Sequence, residues 1–266
     1  MITVLTPTFN RAHTLPRLYQ SLKAQESGRF EWVVVDDGST DNTRDLIEEF
    51  RSEGKFEIVY CYQENAGKHV AINSGASAAS GDLIFIVDSD DALTADAIAV
   101  AEHAITDHDN PEIQGFCFRK VLFDGTMVGI ECRAADPVVM SPSEASKYFR
   151  GDLAYIFRRE AMRAAPFPVI EGEKFVPELY IWNKIGDAGD IIYFPATPLY
   201  LCDYLPDGYS NNFSLHLMRN PRGFLLFYAA QIGRERSLQV KLKYAVRTMQ
   251  CYMYMAMRAI KGKPLA

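Results

Sequence analysis

The feature that most constrains the fold is an alternation, through the first third of the chain, of short apolar runs with segments of helical length. The apolar runs are rich in valine, isoleucine and aromatic residues and are bounded by polar stretches, which is typical of buried strands. Because strands that alternate with helices pair in parallel, the pattern predicts an α/β fold, a parallel sheet with helices on both faces. The predicted strands are ITVLTP, FEWVVVDD, FEIVYCY and DLIFIVDSDD, and the predicted helices cover 11–25, 40–50 and 67–79.

After Thr94 the alternation weakens, and the pattern predicts a mixture of helices and strands. Asp124 and Gly125 form a favoured turn sequence, so two strands are expected on either side of them. Gly186 is expected to end a helix that begins at 176. The other predicted elements are helices at 95–106 and 143–149, a strand at LAYIFRR, one or two strands in DIIYFPATPLYLCDYL, and helix from 214 to the end with a break at 233–237.

Charge separates the end of the chain from the rest. The net charge is −6, but residues 213–266 contain ten Lys and Arg and one acid, Glu235, so a body near −15 carries a tail near +9. A basic tail on an acidic body indicates an anionic partner, either a membrane or a nucleic acid. We expect a main domain over 1–212, divided into halves at 1–94 and 95–212, and a basic helical extension over 213–266.

Other global features predict a cytoplasmic protein. The chain of 266 residues is 48% hydrophobic, which is ample for a core, and it lacks an uncharged apolar run of about 18 residues. The N-terminus has no basic region ahead of an apolar stretch, so no signal peptide is expected. Five scattered cysteines without a C-x-x-C pair argue against disulfides and a structural zinc site, and we expect them to be reduced core residues.

Unusual polar residues follow three of the predicted strands at their carboxyl ends. In open parallel sheets, ligands bind beyond those ends, so the three groups are expected to face one crevice. They are Thr6, Pro7, Thr8 and Asn10 after the first strand, Asp36 and Asp37 after the second, and Asp88, Ser89, Asp90 and Asp91 after the fourth.

The acids after the fourth strand predict a metal site. Asp88 and Asp90 are two residues apart in what we expect to be an extended stretch, so both side chains would leave the same face. Such a pair suits Mg²⁺ or Mn²⁺, with phosphate oxygens and water as the remaining ligands. A helix start is the alternative, and it accounts for Asp91 or Thr94 as capping residues but not for all three acids.

Two further loops are candidates for nucleotide contacts. Asp36 and Asp37 directly follow three valines, where a carboxylate needs partners, and one of them is expected to accept a hydrogen bond from a uracil imide. For 39–41 a turn with a helix cap suffices. Gly67 and Lys68 open a helix, whose N-terminus favours anions, so Lys68 is expected near phosphates. His69 is expected to be a packed or capping histidine.

The motifs VLTPTFNRAHTLPRLYQSL, VVVDDGSTDNT and NAGKHVAINSGASAASGDLIFIVDSDD, in this order and spacing, resemble the family 2 inverting glycosyltransferases with the GT-A fold. The resemblance covers roughly 2–91. It implies that Asp88 and Asp90 bind the metal that bridges the diphosphate of a nucleotide sugar. It also implies that Pro7, Thr8 and one of Asp36 or Asp37 surround the nucleoside, with a UDP-sugar as the expected donor.

In this family the catalytic base lies on a helix in the second half, and two glutamates are candidates here. Glu178 is preferred over Glu173 because it opens a predicted helix after Pro177 and precedes Trp182, as in some family members. The commoner Glu-Asp pair is Glu-Leu in this chain. A first-turn acid that matches the helix dipole is the structural alternative for Glu178.

The expected reaction is attack by an acceptor hydroxyl on the anomeric carbon with inversion, Glu178 taking the proton. The acceptor is expected to be a glycan or a lipid-linked glycan in polysaccharide or glycoconjugate synthesis. The alternative function is a nucleotide-binding or scaffolding module with this fold and no transfer activity. A glycoside hydrolase is disfavoured because it has no use for a nucleotide crevice, and a phosphatase is disfavoured because its D-x-D follows the first strand.

Two features stay open between alternatives. Trp182 and Tyr204 are expected either to stack on sugar rings or to lie in the core. In the extension, apolar residues at helical spacing predict packing on the body or on a second subunit, contact with an anionic bilayer at the inner face of the membrane, or, least of all, nucleic-acid contact. The apolar set is Leu242, Val246, Met249, Met253, Ala256 and Ile260.

Overall fold

A computed structural model describes residues 1–108, 110–132, 136–203 and 213–261. The strands are β1 Ile2–Thr8, β2 Phe30–Asp36, β3 Glu57–Tyr62, β4 Leu83–Ile86, β5 Ala92–Leu93, β6 Ile113–Leu122, β7 Val138–Val139, β8 Leu153–Arg158 and β9 Asp190–Cys202. The helices are α1 Leu15–Lys23, α2 Thr43–Ser52, α3 Lys68–Ala78, α4 Ala97–Asp107, α5 Pro142–Phe149, α6 Arg159–Ala164, α7 Glu178–Ala188, α8 Phe213–Arg219, α9 Pro221–Arg234 and α10 Leu238–Lys261.

The strands form one mixed sheet in the order β3-β2-β1-β4-β8-β6-β9-β5, with β7 paired to β9. The ladders among β1 to β4 are parallel, as predicted for this part of the chain, and β6 pairs with β9 in parallel as well. The ladders β4 with β8, β6 with β8, β5 with β9 and β7 with β9 are antiparallel. The predicted mixed α/β fold is therefore confirmed, and its parallel character is concentrated in the first four strands.

Helices cover both faces of the sheet because alternate strand residues are apolar on both sides. One core lies under α1, α2 and α4 and is centred on Trp32 and Phe85, with Tyr19 stacked on Phe50 at 3.9 Å between ring centroids. The other lies under α3, α5, α6 and α7 and includes Trp182, 4.7 Å from the ring of Phe157. The prediction of helices on both faces is confirmed.

The structure corrects three local predictions. Ser89 and Asp90 lie in a turn that the Asp91 amide closes onto the Asp88 carbonyl at 3.2 Å, so the expected extended stretch is wrong. Beyond the turn at Gly125, the second hairpin strand is limited to a bridge between Val121 and Met127. The third correction concerns α7, which continues through Gly186 to Ala188. Gly186 packs against Pro142, and a Cβ there would lie 2.9 Å from its ring.

The extension folds as helices with the predicted break between α9 and α10. It has a small core of its own, formed by Leu217, Phe224, Tyr228 and Cys251. It also packs closely on the main domain, since a Cβ at Gly223 would lie 2.2 Å from the Phe175 carbonyl oxygen. All five cysteines are free, and Cys117, Cys202 and Cys251 are buried while Cys61 and Cys132 are partly exposed.

In the part of the chain that the structure describes, none of the helices combines the length and the apolar character that a bilayer crossing requires.

Candidate active site

A pocket of about 980 Å³ opens at the carboxyl ends of the parallel strands. The register explains why residues far apart in sequence meet there: Thr8 pairs with Asp36 across β1 and β2, and the Val87 amide donates to the Leu5 carbonyl, which brings the end of β4 alongside β1. Of the predicted site residues, those that line the pocket are Pro7, Thr8, Asp37, Lys68, Asp88, Ser89, Asp90 and Glu178.

Lys68 joins the two most important acids of the pocket. Its Nζ lies 2.6 Å from Asp88 Oδ1 and 2.8 Å from Glu178 Oε1, so one ammonium group bridges the end of β4 and the start of α7. Burial opposes the charge of Lys68, but the two carboxylates outweigh it and raise the pKa of Lys68 well above its usual value. Lys68 is therefore cationic at any physiological pH.

The acids after β4 are held by Tyr200 from β9. The Asp88 amide donates to the Tyr200 hydroxyl at 2.9 Å, and that hydroxyl donates to Asp91 Oδ2 at 2.7 Å. Burial and the negative charge of Asp88 raise the pKa of Asp91 to about 7, and the same two causes raise the pKa of Asp90. The Asp91 carboxylate is thus bound to Tyr200 and that of Asp88 to Lys68, while Asp90 also lines the pocket.

This donor set fits a hard divalent cation only in part. Among the described residues, no group of three or more His, Cys, Asp or Glu side chains is arranged to hold a metal ion by itself. Two carboxylates at a pocket suit Mg²⁺ or Mn²⁺ when the ligand supplies further oxygens. A cation would also relieve the repulsion that raises the pKa of Asp90.

Asp37 organises the wall of the pocket on the β1 and β2 side, which we call the donor wall and define as Pro7, Thr8, Asp37 and 65–68. Its carboxylate accepts hydrogen bonds from Gln63 Nε2 at 2.7 Å and from the Ala66 and Gly67 amides at 2.8 Å each. Thr8 Oγ1 is buried and has no hydrogen-bond partner among the described residues.

The structure does not bring three other predicted residues to the pocket. Thr6 is fully buried, and its hydroxyl accepts from the Trp32 indole at 2.9 Å. Asp36 points away from the pocket, where it accepts from the Tyr60 hydroxyl and the Ser39 amide at 2.7 Å each. Of the two aspartates, only Asp37 lines the pocket.

Asn10 is the third of these residues, and it ties two loops together. Its backbone has a φ of 53°, a left-handed conformation that Asn tolerates. Its side-chain oxygen accepts from the Thr40 amide at 2.8 Å, and its own amide donates to Ser39 Oγ at 2.9 Å. Asn10 therefore ties the loop after β1 to the loop after β2.

A second wall of the pocket, which we call the acceptor wall, consists of 174–182. Glu178 is the first residue of α7 and lines the pocket, and Trp182, one turn later, is 4% exposed and shows only an edge to it. Trp182 therefore lies mainly in the core. Tyr204, the other aromatic residue expected to stack on a sugar, lies outside the described residues.

Glu173, the alternative base, has a different role. Its carboxylate accepts from the Arg222 and Gly223 amides at 3.0 and 2.9 Å, which caps the N-terminus of α9, and it lies 3.5 Å from Arg258 of α10. The Lys174 amide donates to Asn220 Oδ1 at 2.8 Å. The C-terminal helices thus hold the loop that leads to Glu178.

Several pocket residues escaped the sequence prediction, among them Lys120, Lys174, Tyr155 and His216. Lys120 lies 3.7 Å above the Tyr200 ring, and Lys174 Nζ lies 2.5 Å from Asn65 Oδ1. They come from β6, β8, α8 and a loop, outside the motifs that mark the first half, so no local signal singled them out.

His69 does not line the pocket. It is 3% exposed, its ring lies 6.1 Å from that of Phe167, and burial lowers its pKa. This is the packed histidine expected from the sequence.

The pocket lies where open α/β proteins bind ligands, at the carboxyl ends of parallel strands, and it contains acids and a lysine. Residues 3–119 match Glycosyl transferase family 2. This segment of the chain, which contains the donor wall and the acids after β4, belongs to that family.

Two curated relatives are similar in the same region. Glycosyltransferase GlyA of Streptococcus pneumoniae is 37% identical over 107 residues, which are 40% of this chain and 15% of that protein. TuaG of Bacillus subtilis, a glycosyltransferase named for teichuronic acid biosynthesis, is 33% identical over 92 residues, 34% of this chain and 36% of that protein. The chain matches well under half the length of these relatives.

Solved structures extend the similarity to nearly the whole chain at the level of the fold. S. aureus TarS 1-349 in complex with UDP-GlcNAc has a TM-score of 0.71 at 19% identity, over 95% of this chain and 72% of that one. The mannosyltransferase PcManGT from Pyrobaculum calidifontis, in complex with GDP-Man and Mn²⁺, has a TM-score of 0.62 at 19% identity, over 98% and 76%. The GT-A fold expected from the sequence, with its C-terminal helical region, is confirmed.

Proposed function

We propose that this chain transfers a sugar from a nucleoside-diphosphate sugar, with UDP as the nucleotide, to a hydroxyl group of a glycan or lipid-linked acceptor, with inversion and with the help of a divalent metal. The observation that carries the proposal is the bridge of Lys68 between Asp88 and Glu178 inside one pocket. It brings the carboxylate of Asp88, the permanent cation Lys68 and the carboxylate of Glu178 together in one pocket.

The donor would lie along the donor wall with its diphosphate at the end of β4. Asp37 and Thr8 line the pocket and would contact the nucleoside, and Lys68 at the N-terminus of α3 would contact the phosphates. Asp88 and Asp90 would hold Mg²⁺ or Mn²⁺, which when bound supplies positive charge against the departing diphosphate. The manganese in the PcManGT complex and the UDP-sugar in the TarS complex support this arrangement.

Glu178 is the proposed base. It lines the pocket at the start of a helix, so an acceptor hydroxyl bound in the pocket would have this carboxylate within reach. Deprotonation by a positioned carboxylate contributes about 10² to 10⁴ in rate. Before the donor binds, Lys68 neutralises Glu178; contact of Lys68 with the diphosphate would leave the carboxylate free to take the proton.

The acceptor class is proposed from the resemblance and from the names of the relatives, of which TuaG is named for a surface polysaccharide. Location in the cytoplasm at the inner face of the membrane, oligomerisation through the extension, and the division of the chain at 94 and 212 remain predictions. Nucleic acid is not an expected partner.

UDP release, measured over a panel of UDP- and GDP-sugars with Mn²⁺, tests the function. Glu178→Gln is expected to lower kcat by about 10² to 10⁴ while UDP binding by calorimetry is kept. Asp90→Asn is expected to lose manganese-dependent nucleotide binding. The matched control is Glu171→Gln, an exposed glutamate on the same loop that does not line the pocket.

Undiminished turnover in Asp90→Asn would refute the metal site, and undiminished turnover in Glu178→Gln would refute the base. Nucleotide binding without release from any sugar donor would favour the alternative, a nucleotide-binding module without transfer activity.

A further inference from the structure

Helix α10 has one side packed on the protein and one side uncovered. Cys251 on the packed side is fully buried, and the Tyr244 ring lies 5.8 Å from that of Tyr228 in α9. The uncovered side carries eight large apolar residues, which we call the outer stripe. They are Leu238, Leu242, Val246, Met249, Tyr252, Met253, Met257 and Ile260, with exposed fractions from 43% to 85%.

The members of the outer stripe form one continuous surface. Most successive members are three or four residues apart, the spacing that keeps side chains on one face of a helix. The helix has 24 residues, so the stripe runs for about 36 Å at a rise of 1.5 Å per residue. A contiguous exposed apolar surface of this extent indicates an interaction site, whereas apolar residues scattered singly over a surface do not. Of the alternatives that the sequence left open for this face, packing on the body does not occur, because these side chains are exposed.

The charge around the outer stripe has a single sign. Helix α10 contains no acidic residue, and at 100° per residue Lys241 and Lys243 lie on opposite sides of the stripe. Just before the helix, Arg236 is exposed. The one acid in the described residues 213–261, Glu235, is buried and lies 2.5 Å from Lys147. The surface that surrounds the stripe is therefore cationic.

This charge pattern disfavours a second copy of α10 as the partner. Helices that pair through an apolar stripe place flanking charges close together, and stable pairs have opposite charges there. Two copies of α10 would bring only Lys and Arg into proximity, which is repulsive. An anionic lipid surface offers both an apolar layer for the stripe and negative charge for the lysines.

We propose that α10 docks lengthwise on an anionic lipid bilayer, with the outer stripe in the interfacial region and Lys241 and Lys243 at the headgroups. The helix lies parallel to the surface because α9 covers its other side. On that packed side, Arg258 contacts Glu173, so docking would fix the acceptor wall relative to the bilayer. The proposal does not depend on sugar transfer, since it follows from α10 alone.

Flotation of the full chain with vesicles tests the proposal. The chain is expected to float with vesicles of phosphatidylcholine and phosphatidylglycerol and not with phosphatidylcholine alone, and added salt is expected to weaken binding. The double variant Val246→Ser, Met249→Ser is expected to bind at least about tenfold more weakly, because two apolar side chains leave the interface. Lys241→Gln with Lys243→Gln is expected to weaken binding about tenfold or more.

The control is Val139→Ser with Val169→Ser. These residues are 56% and 72% exposed, against 63% and 71% for Val246 and Met249, but they lie outside the extension. Equal flotation of the stripe variant and the control would overturn the proposal, as would equal binding to neutral vesicles. Light scattering that shows a dimer which the stripe variant converts to a monomer would assign the stripe to a second copy instead. UDP release is measured without vesicles, so failure of the lipid-binding proposal can be told apart from failure of the proposed sugar transfer.

Discussion

The two walls of the pocket are stabilised in different ways. The donor wall is held by hydrogen bonds among residues of the first 70 positions, centred on the Asp37 carboxylate and its three donors. The acceptor wall is held from outside, because Glu173 and Lys174 bind the start of α9 and Arg258 of α10. The donor wall is thus a local structure within the family segment, whereas the acceptor wall depends on helices that follow the main domain.

This difference teaches that changes to the two walls should have separable effects. Damage to the donor wall should cost stability and nucleotide binding together, because the same contacts serve both. Damage to the support of the acceptor wall should affect use of the acceptor and leave the nucleotide site intact.

The largest effect is expected from Asp37→Ala. It leaves two backbone amides and the Gln63 side chain without their acceptor, which costs about 3 kcal/mol or more in the free energy of unfolding. Urea unfolding measures the loss, and calorimetry should show that UDP binding is lost with it. Asp45→Ala, an exposed change in α2, should alter stability by no more than about 0.5 kcal/mol. Similar losses in both variants would contradict the role of Asp37.

A smaller loss is expected from Glu173→Gln, which weakens the cap of α9 and leaves Arg258 without its carboxylate. Capping interactions of this kind are worth about 1 to 2 kcal/mol. The acceptor KM should rise while the dissociation constant of UDP is unchanged, with Glu171→Gln as the control. A rise in the UDP dissociation constant would show that the walls are not separable.

The pH dependence of the free energy of unfolding tests the contacts of Glu31 in β2. Glu31 is buried, and its burial alone would raise its pKa, but hydrogen bonds from Thr3, Ser80 and Gly81 outweigh burial and lower the pKa below its usual value. A lowered pKa means that this stabilisation is present above the pKa of the unfolded chain and is lost as the pH falls through that of the folded chain. Glu31→Gln should therefore be less stable near pH 7 and lose less stability on acidification. An unchanged acid limb would contradict this.

The smallest effect is expected from Lys174→Ala, which removes the contact between Lys174 and Asn65 across the two walls. The contact is exposed, so the free energy of unfolding should change by less than about 0.5 kcal/mol. Nucleotide affinity should fall only a few-fold. Lys55→Ala, also exposed, is the control, and a loss of stability above 1 kcal/mol would mean that this contact holds the walls together.

Much of the first half could be predicted from the sequence because its signals are local. Each of the first four strands is a short apolar run, and the polar residues at its end follow it directly in the chain. Position within those loops was harder to predict. Thr6 and Asp36 are neighbours of Pro7 and Asp37 in the chain. Thr6 nevertheless bonds to Trp32, and Asp36 bonds to Tyr60, instead of lining the pocket. Pairing partners of this kind are decided by register, which neighbouring residues do not reveal.

The sequence by itself determined the α/β alternation, the acids after the fourth strand and the helical spacing of the extension, because periodicity and chain order are local properties. Only the tertiary structure decided that Lys68 bridges Asp88 and Glu178, that Glu173 caps α9, and that the apolar side of α10 faces outward. These outcomes depend on which surfaces meet when distant segments pack, and the packing of distant segments is a property of the whole chain.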